Sequence, residues 1–363
     1  MKIAILVGHF PPKEWGGTEI AAYFMAVHLA QRGHSVHVIT SLDEGLPHES
    51  CEKGFYIHRI PNIKIRICGA FLYWYAILKT IRKIDPDYVH VQSLFSGMPA
   101  LISKRLFKIP YAVWAQGSDV YNPKGLIKLT SRMVIKNADS AIALTQDMKK
   151  EMQRICDRDI AIVPNGINMA DLLDDSVRKD EADFGRRILF VGRLSPVKGV
   201  QYLIKAMKQI HDKIPDARLI IVGDGREREM LEALSIQLGI QKYVQFGGEV
   251  PHEKVLSFMQ QADVFVLPSL SEGFPMVIIE ALACGLPIVA SRVGGIPEII
   301  MSETNGYLVE ARDTETIANS IILLLQDEKL RKKISDNNKQ LVKKYTWENT
   351  IIELERLYQL SIK

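Results

Sequence analysis

Short, apolar, β-branched runs alternate with amphipathic stretches along this chain, and the alternation runs through twice. In the first half the runs 2–7, 36–40, 56–60, 88–92, 111–115, 141–144 and 160–163 have the length and composition of buried strands. Stretches with helical spacing lie between them, such as 18–32, 71–84, 97–107 and 125–137. The series then restarts, with strands at 188–191, 218–222, 244–246, 264–267, 287–290 and 307–309. Helices near 199–211, 226–238, 252–261, 275–284 and 296–301 separate these. Strands that alternate with helices need crossover connections, which give parallel sheets covered by helices on both faces. The break is the polar stretch Asn168 to Arg187, rich in Asp, Arg and Lys. A length of 363 residues also exceeds one ordinary core. The expectation is an α/β protein of two doubly wound, Rossmann-like domains joined near residues 165–185. Such sheets bind ligands beyond the carboxyl ends of their strands, so two of them facing each other would hold a ligand in the cleft.

Several classes fall away on composition and spacing. Cys51, Cys68, Cys156 and Cys284 stand far apart, with no Cys-x-x-Cys pair and no His pair at zinc spacing. They read as unpaired thiols in a reducing compartment. The opening segment Met1 to Val7 runs straight into Gly8 and His9, which suits a first strand better than a signal-peptide core. The apolar run Ile67 to Leu78 is shorter than the ~20 residues of a spanning helix. No Gly-x-Gly-x-x-Gly follows the first strand, which argues against a dinucleotide-dependent dehydrogenase. Asp85-Pro86-Asp87 precedes a strand and reads as a turn at the wrong end of a sheet for a ligand. His9 follows the first strand and is either a residue that reaches the cleft or, more simply, a loop residue. Net charge is +4, unevenly spread: residues 1–167 carry 21 Lys and Arg against 14 Asp and Glu, and residues 168–363 carry 25 against 28. A basic first half suits an anionic partner there, or is plain surface variation.

Chemistry concentrates in the second series. Gly192-Arg193-Leu194-Ser195-Pro196-Val197-Lys198-Gly199 follows the buried run 188–191 and opens a helix. A glycine leaving a strand permits a tight turn, and a helix N-terminus offers free N–H groups to an anion. Arg193 adds a planar fork and Lys198 a point charge, so the segment suits phosphate; the plainer reading is a basic surface loop. Gly223-Asp224-Gly225 is a further strand-end turn, weak by itself. Ser269-Leu270-Ser271-Glu272-Gly273-Phe274-Pro275 then leads into a helix, with Pro275 suited to its first turn. Glu280 follows on that helix, eight residues after Glu272. Both glutamates sit among apolar neighbours, and a buried glutamate needs a partner.

The spacing Glu272-x7-Glu280 with its Glu-Gly-Phe-Pro start resembles the donor-site signature of retaining glycosyltransferases of the GT-B fold, family 4. Other segments agree in order: Gly16-Gly17-Thr18-Glu19, Pro164-Asn165-Gly166-Ile167, Gly192-Arg193-Leu194, Lys198-Gly199, Gly223-Asp224-Gly225 and Gly294-Gly295-Ile296-Pro297-Glu298. The resemblance implies an acceptor-side domain, 1–167 plus 347–363 with a returning C-terminal helix that serves domain closure, and a donor-binding domain, 168–346. It implies a hexosyltransferase that takes a nucleotide-diphospho-sugar and a hydroxyl acceptor, needs no metal or cofactor, and binds no nucleic acid. Catalytic roles fall on Arg193, Lys198, Glu272 and Asp119. Arg193 and Lys198 would hold the diphosphate, Glu272 the sugar hydroxyls and Glu280 the ribose. Backbone groups of Gly273, Phe274 and Pro275, with Gly16, Gly17, Asn165, Gly192 and Gly223, would line the substrates. The segment Phe246 to Val250, through Gly248 and Val250, would pass the base. A front-face displacement that retains configuration is the implied mechanism. Relatives often carry His-Gly-x-Asp after the strand 111–115, where this chain has Gln116-Gly117-Ser118-Asp119. Glutamine hydrogen-bonds a hydroxyl but takes no proton at neutral pH, so an acid–base role there has no counterpart. Asp119 would contact the reacting sugar or acceptor, or else be a turn or cap aspartate. A nucleotide-sugar-binding protein, an epimerase or a phosphorylase on the same fold are the alternatives.

Residues 63–84 combine Phe71, Tyr73, Trp74 and Tyr75 with Lys64, Arg66, Lys79, Arg82 and Lys83. On a helix, Trp74, Leu78, Ile81 and Ile84 share one face, with the cations opposite. Further basic residues fill 104–136. The segment is either a helix packed on the sheet with a solvated basic back, or one that lies on anionic lipid. The expected location is cytoplasmic, at the inner face of the membrane if the second reading holds.

Overall fold

The computed structural model describes residues 1–12, 16–61, 68–117, 119–121, 123–168 and 186–362. The expected junction at 169–185, Lys64 and Arg66 of the basic segment, and Ser118 lie outside them. The chain divides into two compact units, Met1–Gly166 with Trp347–Lys363, and Ile167–Thr346.

The first unit is built from β1 (Lys2–Leu6), α1 (Gly17–Gln31), β2 (Ser35–Ser41), β3 (Glu49–Glu52), β4 (Phe55–Ile60), α2 (Cys68–Ile84), β5 (Tyr88–Val91), α3 (Met98–Phe107), β6 (Tyr111–Trp114), α4 (Gly125–Asn137), β7 (Ser140–Ala143), α5 (Gln146–Ile155) and β8 (Ala161–Ile162). Its sheet runs β3-β4-β2-β1-β5-β6-β7-β8. β5, β6 and β7 are buried along their whole length, as strands covered on both faces must be. Chain order reverses between β1 and β5, the switch point of a doubly wound sheet.

The pairing is parallel except at one edge, which corrects the expectation of purely parallel strands. β3 pairs antiparallel with β4. Lys53 and Gly54 join them with φ of 44° and 87°, the two left-handed residues of a tight hairpin turn. Glu-Ser-Cys-Glu carries no β-branched pattern, so this strand depends on the hairpin for its existence.

The last helix, α13 (Trp347–Ile362), belongs to the first unit. Trp347 stacks on His28 and Phe24, with ring centres 6.1 and 6.3 Å away. Glu355 accepts from Arg32 at 2.7 and 2.8 Å and lies 2.8 Å from the His34 ring. Tyr358 is fully buried, its hydroxyl 2.7 Å from Nδ1 of His90. Burial holds that histidine's pKa down to about 3, so it is neutral at ordinary pH.

The second unit contains β9 (Arg186–Val191), α6 (Val200–Lys213), β10 (Ala217–Val222), α7 (Arg228–Gln237), β11 (Val244–Gly248), α8 (His252–Gln261), β12 (Val264–Leu267), α9 (Met276–Ala283), β13 (Ile288–Ser291), α10 (Ile296–Ile299), β14 (Gly306–Val309), α11 (Thr314–Gln326) and α12 (Glu328–Leu341). Its sheet, β11-β10-β9-β12-β13-β14, is parallel throughout. Asp313 and Asp327 cap α11 and α12, accepting from Thr316 N at 3.0 Å and Leu330 N at 2.8 Å. Chain order reverses between β9 and β12, the switch point of this sheet and the place where doubly wound sheets bind ligands.

Candidate active site

The crevice of the second unit collects the residues singled out between 192 and 280. The loop after β9 carries Gly192, Arg193 and Lys198, and the loop after β12 carries Glu272, Gly273, Phe274 and Pro275. Backbone bonds knit these loops to their neighbours: Leu194 N donates to Asp224 O at 2.8 Å, and Leu270 N to Val197 O at 2.7 Å. A side-chain carbon on Gly223 would stand 2.1 Å from the carbonyl oxygen of Gly192. One on Gly294 would stand 1.7 Å from that of Glu272. Gly223 thus has a packing reason as well as its expected ligand role. Backbone passes where a side chain would otherwise sit, and four strand-end loops are held in mutual register.

Lys198 and Glu272, 74 residues apart, meet there at 2.6 Å between Nζ and Oε1. Ser269, fully buried, donates its hydroxyl to the same oxygen at 2.6 Å. The pair is mostly shielded from water, so its charge-assisted bonds are stronger than surface ones. Oε2 of Glu272 has no hydrogen-bond partner among the described residues. Arg193 is exposed, and among the described residues its guanidinium has none either. The crevice therefore presents one unpaired fork and one cation already balanced by a carboxylate. The family resemblance implies separate ligands for Lys198 and Glu272, whereas here each is the other's partner.

Glu280 lies on α9, 6% exposed, and its partner is His252, whose Nε2 is 3.0 Å from Oε1. His252 opens α8, two residues past Val250, so it joins Glu280 to the end of the segment 246–250. Gly248 O accepts from Gly223 N at 2.7 Å, which ties that segment to the loop after β10. Phe274 is buried with its ring 5.9 Å from Tyr345, and Pro275 occupies the N-cap of α9. Neither Ser269, the first residue of its segment, nor His252 carries an expected role from the sequence. Ser269 had a weak signal, an oxygen three residues before Glu272. His252 had none.

In the first unit Gly16 caps α1, Gly17 begins it, and both are exposed. His9 is exposed on the loop after β1. Gln116 and Asn165 come together after β6 and β8: Asn165 Nδ2 donates to Gln116 Oε1 at 3.1 Å. Gln116 Nε2 and Asn165 Oδ1 are both buried without a partner among the described residues. Exchanging nitrogen and oxygen in both amides keeps the bond and still leaves one donor and one acceptor.

Asp119 is 3% exposed. Its Oδ2 accepts from Leu94 N at 2.7 Å and Ser93 Oγ at 3.0 Å, and its Oδ1 from Gly117 N at 3.0 Å and Gln116 N at 3.2 Å. Burial pushes its carboxyl above the usual range, and the four donors oppose that shift. Both oxygens are occupied, so the expected contact with the reacting sugar or acceptor is revised. Asp119 is a positioning residue that ties the loop after β6 to the loop after β5. Asp119→Asn would turn an amide NH2 against N–H donors. It is expected to cost about 1–3 kcal/mol in denaturant unfolding. An unchanged midpoint would remove the anchoring role.

Residues 15–171 match the family described as Glycosyltransferase Family 4, and residues 175–341 the family described as Glycosyl transferases group 1. An uncharacterised glycosyltransferase of Methanocaldococcus jannaschii is 30% identical, over 100% of this chain and 99% of that protein. The chain belongs to this glycosyltransferase family. N-acetyl-alpha-D-glucosaminyl L-malate synthase of Bacillus anthracis is 26% identical over 99% of this chain and 97% of its own length. Among solved structures, sucrose-phosphate synthase of Thermosynechococcus elongatus superposes with a TM-score of 0.87 at 24% identity, covering 99% of this chain and 98% of that one. Anabaena HepE, solved in complex with UDP-glucose, gives 0.82 at 20% identity, with 98% of each chain covered. The fold of this glycosyltransferase is GT-B, two α/β units, one built on a parallel sheet and the other on a sheet parallel except at its β3 edge.

Proposed function

We propose that this glycosyltransferase moves a hexosyl unit from a nucleotide-diphospho-sugar to a hydroxyl of a glycan, glycolipid or lipid-linked sugar, with retention of configuration and without a metal ion. The observation that carries the reading is the placement of Arg193 and Lys198 at the switch point between β9 and β12, one unpaired and one held by Glu272. As the bond from the anomeric carbon to the diphosphate oxygen breaks, negative charge grows on that oxygen. Lys198, held in place by Glu272, and the open fork of Arg193 stabilise that charge, the part a metal takes elsewhere. The acceptor hydroxyl attacks from the leaving-group face and passes its proton to the departing phosphate oxygen. Glu272 accepts from a sugar hydroxyl through Oε2 while Oε1 keeps Lys198 aimed.

Glu280 takes the ribose, exchanging its histidine bond for ribose hydroxyls, and the segment 246–250 takes the base through backbone groups. On the other unit, the free donor and free acceptor of the Gln116–Asn165 pair complement a hydroxyl, which both accepts and donates. They do not complement an anionic oxygen, which the free amide oxygen would repel.

A panel of nucleotide sugars tests the reading through thermal protection and through release of nucleotide. UDP-glucose comes first, because HepE was solved with it. At least one donor is expected to raise the unfolding temperature and to be turned over equally with and without a chelator. Protection by none, or turnover abolished by the chelator and restored by a divalent cation, would count against the donor or the metal-free part respectively.

A further inference from the structure

We propose that the outer face formed by α2, α3 and α4 is a docking surface for an anionic phospholipid membrane. The connections that lead from β4 to β5, β6, β7 and β8 in turn advance in one direction across the sheet. Right-handed crossovers then place α2, α3 and α4 on one face of it. Their packing agrees: α2 contacts α3, and α3 contacts α4.

Together these three helices carry eight lysines and arginines and no aspartate or glutamate. A soluble surface ordinarily intersperses both signs. Acids from neighbouring elements reach three of the eight cations. Lys83 lies 3.3 Å from Glu49, Lys104 lies 2.7 Å from Asp139, and Arg82 lies 3.9 Å from Asp85. Lys79, Arg105, Lys128, Arg132 and Lys136 have no carboxylate partner among the described residues.

Charge alone would suit any polyanion. What favours lipid is the apolar surface on the same helices. At the start of α4, Leu126 is 74% exposed, and Ile127 and Leu129 are exposed beside it, interleaved with Lys124 and Lys128. On α2, Phe71 and Tyr75 stand outward while Ile77, Ile81 and Ile84 fill the core. Leu106 at the end of α3 is 64% exposed. A helix with core positions available has no packing reason to hold large aliphatics in water. Apolar side chains flanked by lysines are what an interfacial helix inserts below lipid headgroups. Of the two readings of residues 63–84, the packed helix with a solvated back accounts for the isoleucines and leaves Phe71 and Tyr75 unexplained.

Sedimentation of the full chain with vesicles tests this independently of the donor site, whose residues lie in the other unit. Binding is expected to mixed phosphatidylglycerol and phosphatidylcholine vesicles at low salt, and not to phosphatidylcholine alone. The variant Lys79→Gln, Lys124→Gln, Lys128→Gln should weaken partitioning on the order of 100-fold, from three surface cations. The variant Leu126→Ser, Ile127→Ser, Leu129→Ser should weaken it by at least about 10-fold. Both should keep thermal stability and nucleotide protection. If either melts early, the single exposed changes Lys128→Gln and Leu126→Ser make the same comparison. No binding to the mixed vesicles overturns the proposal. So does loss of binding in the lysine variant with none in the serine variant, because that pattern marks attraction between charges alone, without apolar insertion.

Discussion

Lys198→Ala is expected to slow turnover about 30- to 150-fold, the loss of one charge-assisted contact of ~2–3 kcal/mol in the transition state. The effect should fall on kcat more than on the donor KM, since charge on the leaving oxygen is greatest when the glycosidic bond breaks. Two routes lead to that loss. The ammonium no longer faces the diphosphate, and Glu272 keeps only the Ser269 bond on Oε1. Glu272→Gln separates them, because it leaves Lys198 charged but no longer held. If Lys198 acts on the diphosphate, Lys198→Ala should also weaken binding of the nucleoside diphosphate product, which lacks the transferred sugar that Glu272 would touch. Glu272→Gln should leave that binding nearly intact. Steady-state rates and product titration of both variants check this. A Lys198→Ala enzyme with unchanged kcat removes the phosphate role.

Gly294→Ala is expected to abolish most activity, by about 100-fold or more, because misplacing reacting groups by about an ångström costs that much. Gly294 has φ of +51°, and its added carbon would sit 1.7 Å from the Glu272 carbonyl oxygen and 2.9 Å from the carbonyl carbon. Nothing flexible can yield there. The loop that carries Glu272 must move, and with it the partner of Lys198. Left-handed strain alone costs about 1–2 kcal/mol for a non-glycine residue. Gly239→Ala isolates that term, because Gly239 has φ of +71° with nothing within 4 Å of its added carbon. Gly239→Ala should lose stability and keep its turnover, while Gly294→Ala should lose both. Equal activity in the two variants would show that the register of the strand-end loops does not set the site.

The two variants differ in how visible their residues were. Lys198 and Glu272 stood out beside strand ends, since a cation before a helix and an acid before a glycine are local patterns. Their contact was not visible, because it depends on β9 and β12 being neighbours in the sheet although 72 residues separate the end of one from the start of the other. Asp119 shows the reverse error. A motif position suggested a ligand contact, but two backbone N–H groups of its own loop and two donors from the loop after β5 occupy both oxygens. His252 meets Glu280 from the start of another helix, and no periodicity marks that meeting.

What the sequence determined by itself was the series of elements, its restart after the polar stretch, and the glycine, basic and acidic residues at the carboxyl ends of strands. These follow from side-chain periodicity and backbone preference, which act over a few residues. Only the tertiary structure decided the order of the strands, and so where the two switch points fall. It also decided which charges meet, that β3 exists as a hairpin edge, and which faces of α2 and α4 stay in water. A backbone N–H or a carboxylate satisfies itself with whatever partner packing brings within about 3 Å. That partner is chosen by the fold of the whole unit rather than by its neighbours along the chain.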